Sequence, residues 1–310
     1  MTVATLPGAG AGPSRPPRRG DGRWALLFLA PWIIGLVLLT AGPMLASLYL
    51  AFTNYNLLST PEFVGTKNFV RMFTLDPLWW QSLRVTALYV VASVPLQLIF
   101  ALLLALALNR SVWGVGLFRS IYYVPSLVGA GVAVAILWLR VFGAAGLFNQ
   151  LLGFLGFQST ISWIGNVSTS LWTLILLRVW EFGAPMVIFL AGLRQIPNEL
   201  YESASVDGAS TWRKFIFITL PLLTPVVFFN LVLQIVNAFQ VFASAYIIGG
   251  GTGGPANSLL VYGVYLYQMA FANFEMGYAA AMGWMLLIII GAITAVNFWV
   301  GRYWIEYGDE

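Results

Sequence analysis

The chain of 310 residues has no cysteine and no histidine. That removes disulfides, thiol nucleophiles, thiolate metal sites and every use of imidazole as acid, base or ligand. Lysine occurs only at Lys67 and Lys214. Neither closes a GxxxxGK[ST] phosphate loop, so if ATP drives this protein, another subunit hydrolyses it. Charge is scarce too: 8% of residues are charged against 60% hydrophobic, which excludes a water-soluble globule. What is present is apolar and long.

Uncharged runs able to cross the roughly 30 Å hydrocarbon layer, about 20 helical residues each, recur along the chain. They lack the period-two alternation of barrel strands, and backbone groups in lipid must be satisfied internally, so the runs are helices. The expected fold is all-α, a polytopic membrane protein with six transmembrane helices at about 24–50, 83–108, 120–139, 171–193, 222–246 and 277–300. Pro95 is expected to kink the second span and Pro125 to bend the start of the third locally. Residues 1–23, rich in Gly, Pro and Arg, read as a disordered tail, and 24–303 as the membrane domain with a short tail at 304–310. The first apolar run is too long for a cleaved signal and is expected to stay as a span.

Basic residues decide orientation. With the N-terminus inside, Arg15, Arg18, Arg19, Arg23, Arg110, Arg119, Arg194, Arg213, Lys214 and Arg302 face the cytosol, against Lys67, Arg71, Arg84 and Arg140 outside. The positive-inside bias therefore selects cytosolic N- and C-termini in the cell membrane. It also puts the polar island between the fourth and fifth spans in the cytosol.

That island, residues 197–221, reads as a helix-turn-helix elbow. Pro197 suits a first turn, Glu199 and Glu202 favour the positive helix end, Asp207 and Gly208 stop the first helix, and Ser210 caps a second carrying Trp212, Arg213 and Lys214. Ser203, Ala204 and Ser205 form a patch of small side chains that lets another protein approach the backbone. An ordinary cytosolic loop is the plain alternative.

Glu202, Ser203 and Ala204, with Gly208 six places after the Glu, then Ile218, Leu220 and Pro221, resemble the EAA loop of ABC importer permeases with the MetI-like core. The surrounding ELYE and DGA, and LAGLRQIP just upstream, are similar to the carbohydrate-uptake branch, of the glycerol-3-phosphate and maltose type. Ser203 departs from the usual Ala by one hydroxyl. The resemblance runs from about 24 to 300 and implies a transport subunit that is not an enzyme and carries no cofactor. Its implied partners are a second permease subunit, a cytosolic ABC ATPase dimer, an extracytoplasmic sugar-binding protein, membrane lipid and a small-molecule sugar, with no nucleic acid. Glu202, Ser203, Ala204, Asp207 and Gly208 would couple to the ATPase.

Candidate pathway residues lie in the fourth and fifth spans. Asn230, Gln234, Asn237, Gln240 and Ser244 fall within one wedge about 120° wide at helical spacing, a polar stripe suited to sugar hydroxyls. Trp180, Phe239 and Phe242 suit the apolar face of a pyranose. Interhelical glue is the competing use of such amides. Arg178 and Glu181, three apart, are the only ionisable pair inside a span, either a structural ion pair or a substrate or gating contact. Glu181 also keeps open a proton-coupled secondary transporter, the elbow a membrane scaffold, and the resemblance an ABC permease for a non-sugar solute. Gly249 to Gly254 lack the Lys of a phosphate cradle, and the GGP ending at Pro255 resembles the family's external loop, with an ordinary flexible turn as the plain alternative.

Overall fold

The computed structural model describes residues 21–109, 115–129, 131–157 and 160–304. The arginine-rich tail 1–20, Arg110 and residues 305–310 lie outside the described residues, as does the side chain of Arg23. Five helices are long and apolar enough to cross a membrane, and six spans result if one bent pair counts as one, among the described residues.

The first span, α1 (Leu27–Ala51), carries a π-helical stretch at Leu36–Ala41. Its described residues up to Tyr49 belong to one unit, and the described residues from Leu50 onward form the other. Within that second unit a two-residue hairpin pairs β1 (Thr53–Asn54) with β2 (Glu62–Phe63), followed by the short helix α2 (Lys67–Thr74). The second span, α3 (Pro77–Leu108), starts six residues before its apolar run because Asp76 caps it, accepting from the backbone N–H of Leu78 and Trp79 with Pro77 at the first turn. It runs through Pro95 without a break, so the expected kink does not interrupt the helix.

The expected third span divides. α4 (Val115–Val128) ends at a turn, and α5 (Val132–Phe142) starts after Gly131 in extended backbone, so 120–139 is two helices. Pro125 has no N–H to give the ladder, and Gly129 closes the turn onto the Pro125 carbonyl at 2.7 Å. The apolar stretch long enough to span is instead Val132–Phe154, which takes in α6 (Leu147–Phe154). The fourth span is α7 (Ser170–Trp180) and α8 (Gly183–Leu193), bent by 42°. α9 (Asn198–Val206) leads through a tight turn to α10 (Thr211–Phe239), a continuous helix with a π-helical stretch at Phe215–Thr219. Short α11 (Ala243–Ile248) and α12 (Tyr262–Tyr267) precede the last span, α13 (Met276–Gly301).

The core lies where α3 packs against α7, α8 and α10, around Leu174, Met186, Phe189 and Leu223. Helix α8 approaches α10 closely at Gly192, where a Cβ would lie 2.7 Å from Val226. At the end remote from the α9 elbow, buried Asp76 does more than cap: its other oxygen accepts from Tyr265 at 2.6 Å and Tyr278 at 2.5 Å. Arg71 pairs with Glu275 at 2.6 Å and stacks over Tyr278 at 4.4 Å. This clasp ties α2, α3, α12 and the start of α13 together, and every oxygen of Asp76 is used.

Candidate functional site

The site is built on the break in the fourth span. At Glu181 and Phe182 the helical ladder stops inside the bundle, where an unpaired carbonyl would be costly. Two other helices supply the donors. Gln97 of α3 and Ser126 of α4 both donate to the Glu181 carbonyl, at 2.9 and 3.0 Å, and Ser126 accepts from the Ala184 N–H at 2.9 Å. Glycine makes the approach possible. A Cβ on Gly183 would lie 2.7 Å from the Tyr122 carbonyl, and one on Gly129 would collide with the Glu181 side chain.

Beside the break, Arg178 bridges two spans. It donates to Glu181 at 3.3 Å and to the side-chain oxygen of Gln234, on α10, at 2.6 Å, while its Nε is buried with no partner among the described residues. The pair is only partly buried, 15% and 13% exposed, because it borders a cavity of about 400 Å³. Tyr89, Arg178, Glu181, Asn237, Gln240 and Ser244 supply its polar lining, and Phe242 an aromatic wall. Arginine, carboxylate, amides and hydroxyls in one space give donors and acceptors in close alternation. With Arg178 bound to it, Glu181 is not the isolated acid of a proton relay.

The polar stripe of the fifth span is therefore divided in use. Asn237, Gln240 and Ser244 line the cavity, Gln234 is held by Arg178, and Asn230 is wholly buried, its amide atoms without partners among the described residues. The helix ends at Phe239, so Ser244 reaches the cavity from α11 rather than along the same helical face. Of the three aromatics expected at a sugar face, Phe242 is at the cavity. Trp180 packs against Trp138 at 6.1 Å, and Phe239 is in the core. Tyr89, Gln97 and Ser126 escaped sequence reasoning. A tyrosine reads as one more apolar residue in a span, and single amides or hydroxyls show no periodicity.

The elbow has the geometry its residues dictate. Gly208 adopts φ +76°, its N–H bonds to the Ser205 carbonyl at 3.1 Å, and Ala209 N–H bonds to the Ala204 carbonyl at 2.9 Å, which closes α9 in a Schellman turn. Ser210 then caps α10, accepting from Arg213 N–H at 3.4 Å. Pro197 sits one place earlier than a first-turn residue, in extended backbone just ahead of α9. The hydroxyls of Ser203 and Ser205 fold back onto the carbonyls of Glu199 and Tyr201, and Lys214 Nζ from the second arm donates to the Ser205 hydroxyl at 2.5 Å. Glu202 and Asp207 are exposed, as are Val206 at 89% and Trp212 at 68%. The second arm of the elbow is continuous with α10, and the first follows α8 after a link of four residues, so both arms join spans that border the cavity.

Residues 97–304 match the profile of the binding-protein-dependent transport system inner membrane component family, two thirds of the chain. The chain belongs to this family. The permease is 49% identical to the probable ABC transporter permease protein YesP of Bacillus subtilis over 292 residues, 94% of each chain. It is 32% identical to the lactose transport system permease protein LacF of Rhizobium radiobacter, covering 89% of this chain and 93% of that one. A bacterial alginate ABC transporter, solved in complex with an alginate pentasaccharide-bound periplasmic protein, matches its fold with a TM-score of 0.77 at 22% identity, over 93% and 98% of the two chains. The permease is thus a membrane transport component rather than an enzyme, with the MetI-like fold expected, and works with a substrate-binding protein.

Proposed function

We propose that this permease forms half of the pathway of an ATP-driven sugar importer. The observation that carries the reading is the cavity at the break of the fourth span, where Arg178, Glu181, Asn237, Gln240 and Ser244 meet beside Tyr89 and Phe242. Amides and hydroxyls pair with vicinal hydroxyls, and an aromatic face covers the C–H side of a sugar ring. The relatives support the same class: LacF is named for lactose, and AraP of Bacillus subtilis, 33% identical, for arabinooligosaccharides.

In this reading Glu202, Ser203, Ala204, Asp207 and Gly208 dock a cytosolic ATPase, both termini are cytosolic, and the GGP loop faces the binding protein. One permease presents one elbow. Two ATPases need two, so a second, homologous permease completes the pathway. A binding protein delivers sugar to the outer mouth, ATP closes the ATPases, and the elbow passes that closure to α8 and α10 together.

Reconstitution in proteoliposomes with a partner permease, an ATPase and a binding protein tests this. Uptake of sugar should require ATP, and uptake driven by a proton gradient without ATP would overturn it. Gly208→Val should abolish coupling, because a β-branched residue is strained at φ +76° although a Cβ there meets nothing within 4 Å. Gly208→Asn, which tolerates the left-handed region, should keep most of the transport.

A further inference from the structure

At the end of the bundle that carries the elbow, a groove of about 630 Å³ opens between α4 and α8. Arg119, Ser120 and Arg194 supply its polar end, and Val187, Ile188 and Ala191 an apolar floor, with no carboxylate in the lining. Arg119 donates one Nη to the Leu108 carbonyl at 3.0 Å, while its Nε is buried with no partner among the described residues. Arg194 is exposed, and its side chain bonds to nothing among the described residues. Burial, then the charge of Arg194, lower the pKa of Arg119, and the two cations face one space with no counter-ion among the described residues.

We propose that this groove binds one anionic phospholipid, with its phosphate between Arg119 and Arg194 and an acyl chain along Val187, Ile188 and Ala191. Guanidinium groups bind phosphate oxygens in pairs, and basic pockets between spans at the headgroup level are where such lipids are held. A soluble anion would satisfy the arginines but leave the apolar floor uncovered; a lipid satisfies both ends. Arg194 lies three residues before Pro197, where the elbow begins, so a bound headgroup steadies the junction between α8 and the ATPase-facing turn. The inference rests on membership of a membrane family and not on the sugar reading.

Native mass spectrometry of the full chain in a neutral detergent, with phosphatidylglycerol or phosphatidylcholine of matched chains, tests it without transport. Wild type should retain phosphatidylglycerol at least about tenfold better than phosphatidylcholine, and inorganic phosphate should not displace it. Arg194→Gln should lose that preference. Ala191→Trp, which fills the floor and leaves both charges, should lose the lipid as well. Equal retention of both lipids, wild-type retention by the two variants, or displacement by phosphate would overturn the proposal. Loss of the lipid when a partner permease binds would do so too, by showing the groove to be a protein interface.

Discussion

The Asp76 clasp and the Arg178 cavity are both polar clusters inside an apolar protein, yet they are finished differently. Asp76 accepts four hydrogen bonds from two backbone groups and two phenols, and its neighbours Arg71 and Glu275 pair at 2.6 Å. Around Arg178 the ion pair is long at 3.3 Å, and Arg178 Nε and the Gln97 side-chain oxygen are buried without partners among the described residues. A closed network has nothing left to offer a ligand. An open one carries bonding capacity at a cost in stability, which is the mark of a site rather than a tie.

The comparison breaks if the clasp proves dispensable. Asp76→Ala strands two buried phenols and uncaps α3, so it should cost about 3 to 5 kcal/mol. The detergent-purified complex should melt much lower while surviving transporters keep their sugar preference. A changed preference would make the clasp part of the pathway.

Nearly as large, Arg178→Leu or Glu181→Leu alone leaves an uncompensated buried charge, about 3 kcal/mol or more. The double replacement should recover most of the melting temperature but not the uptake. Recovery of both would reduce the pair to a structural role. Smaller again, Asn237→Leu and Gln240→Leu should leave melting unchanged and weaken sugar binding by about 1 to 3 kcal/mol, with altered ranking of competing sugars. Lost stability with an unaltered ranking would make these amides interhelical glue.

The smallest effect is alkaline. Burial, then the bond to Asp76, raise the pKa of the Tyr265 phenol above its ordinary 10.0. The unfolded chain therefore releases that proton first, so the clasp's contribution is complete below pH 10 and declines as pH rises further. Melting followed from pH 8 to 11 should fall more steeply in wild type than in Tyr265→Phe.

Periodic and punctuated features were readable from the sequence, and irregular ones were not. Gly208 and Ser210 announce the elbow because a left-handed stop and an N-cap need particular residues in adjoining places. Spans two and six follow from apolar length alone. The division of the third span and the bend at Glu181 did not show, since Pro125, Gly129 and Gly183 are each tolerated within a continuous apolar run. What makes the breaks stable comes from distant positions, Gln97 and Ser126, whose link to Glu181 exists only once the helices pack. The wedge of amides found its cavity only in part, because the helix carrying it ends at Phe239.

The broken fourth span sets a mechanical scale. Its lower half, α8, has 11 residues, a rod about 16 Å long at 1.5 Å per residue. Pivoting at Glu181, a tilt of about 10° moves its elbow end by about 3 Å while the pivot end stays nearly still. The fulcrum is the Glu181 carbonyl, gripped by two neighbouring helices, and its side chain hangs in the cavity. If an ATPase pushes the elbow as proposed, the point of least travel is a residue that lines the cavity, so a displacement of ångströms at the elbow would arrive at the cavity as a change of angle.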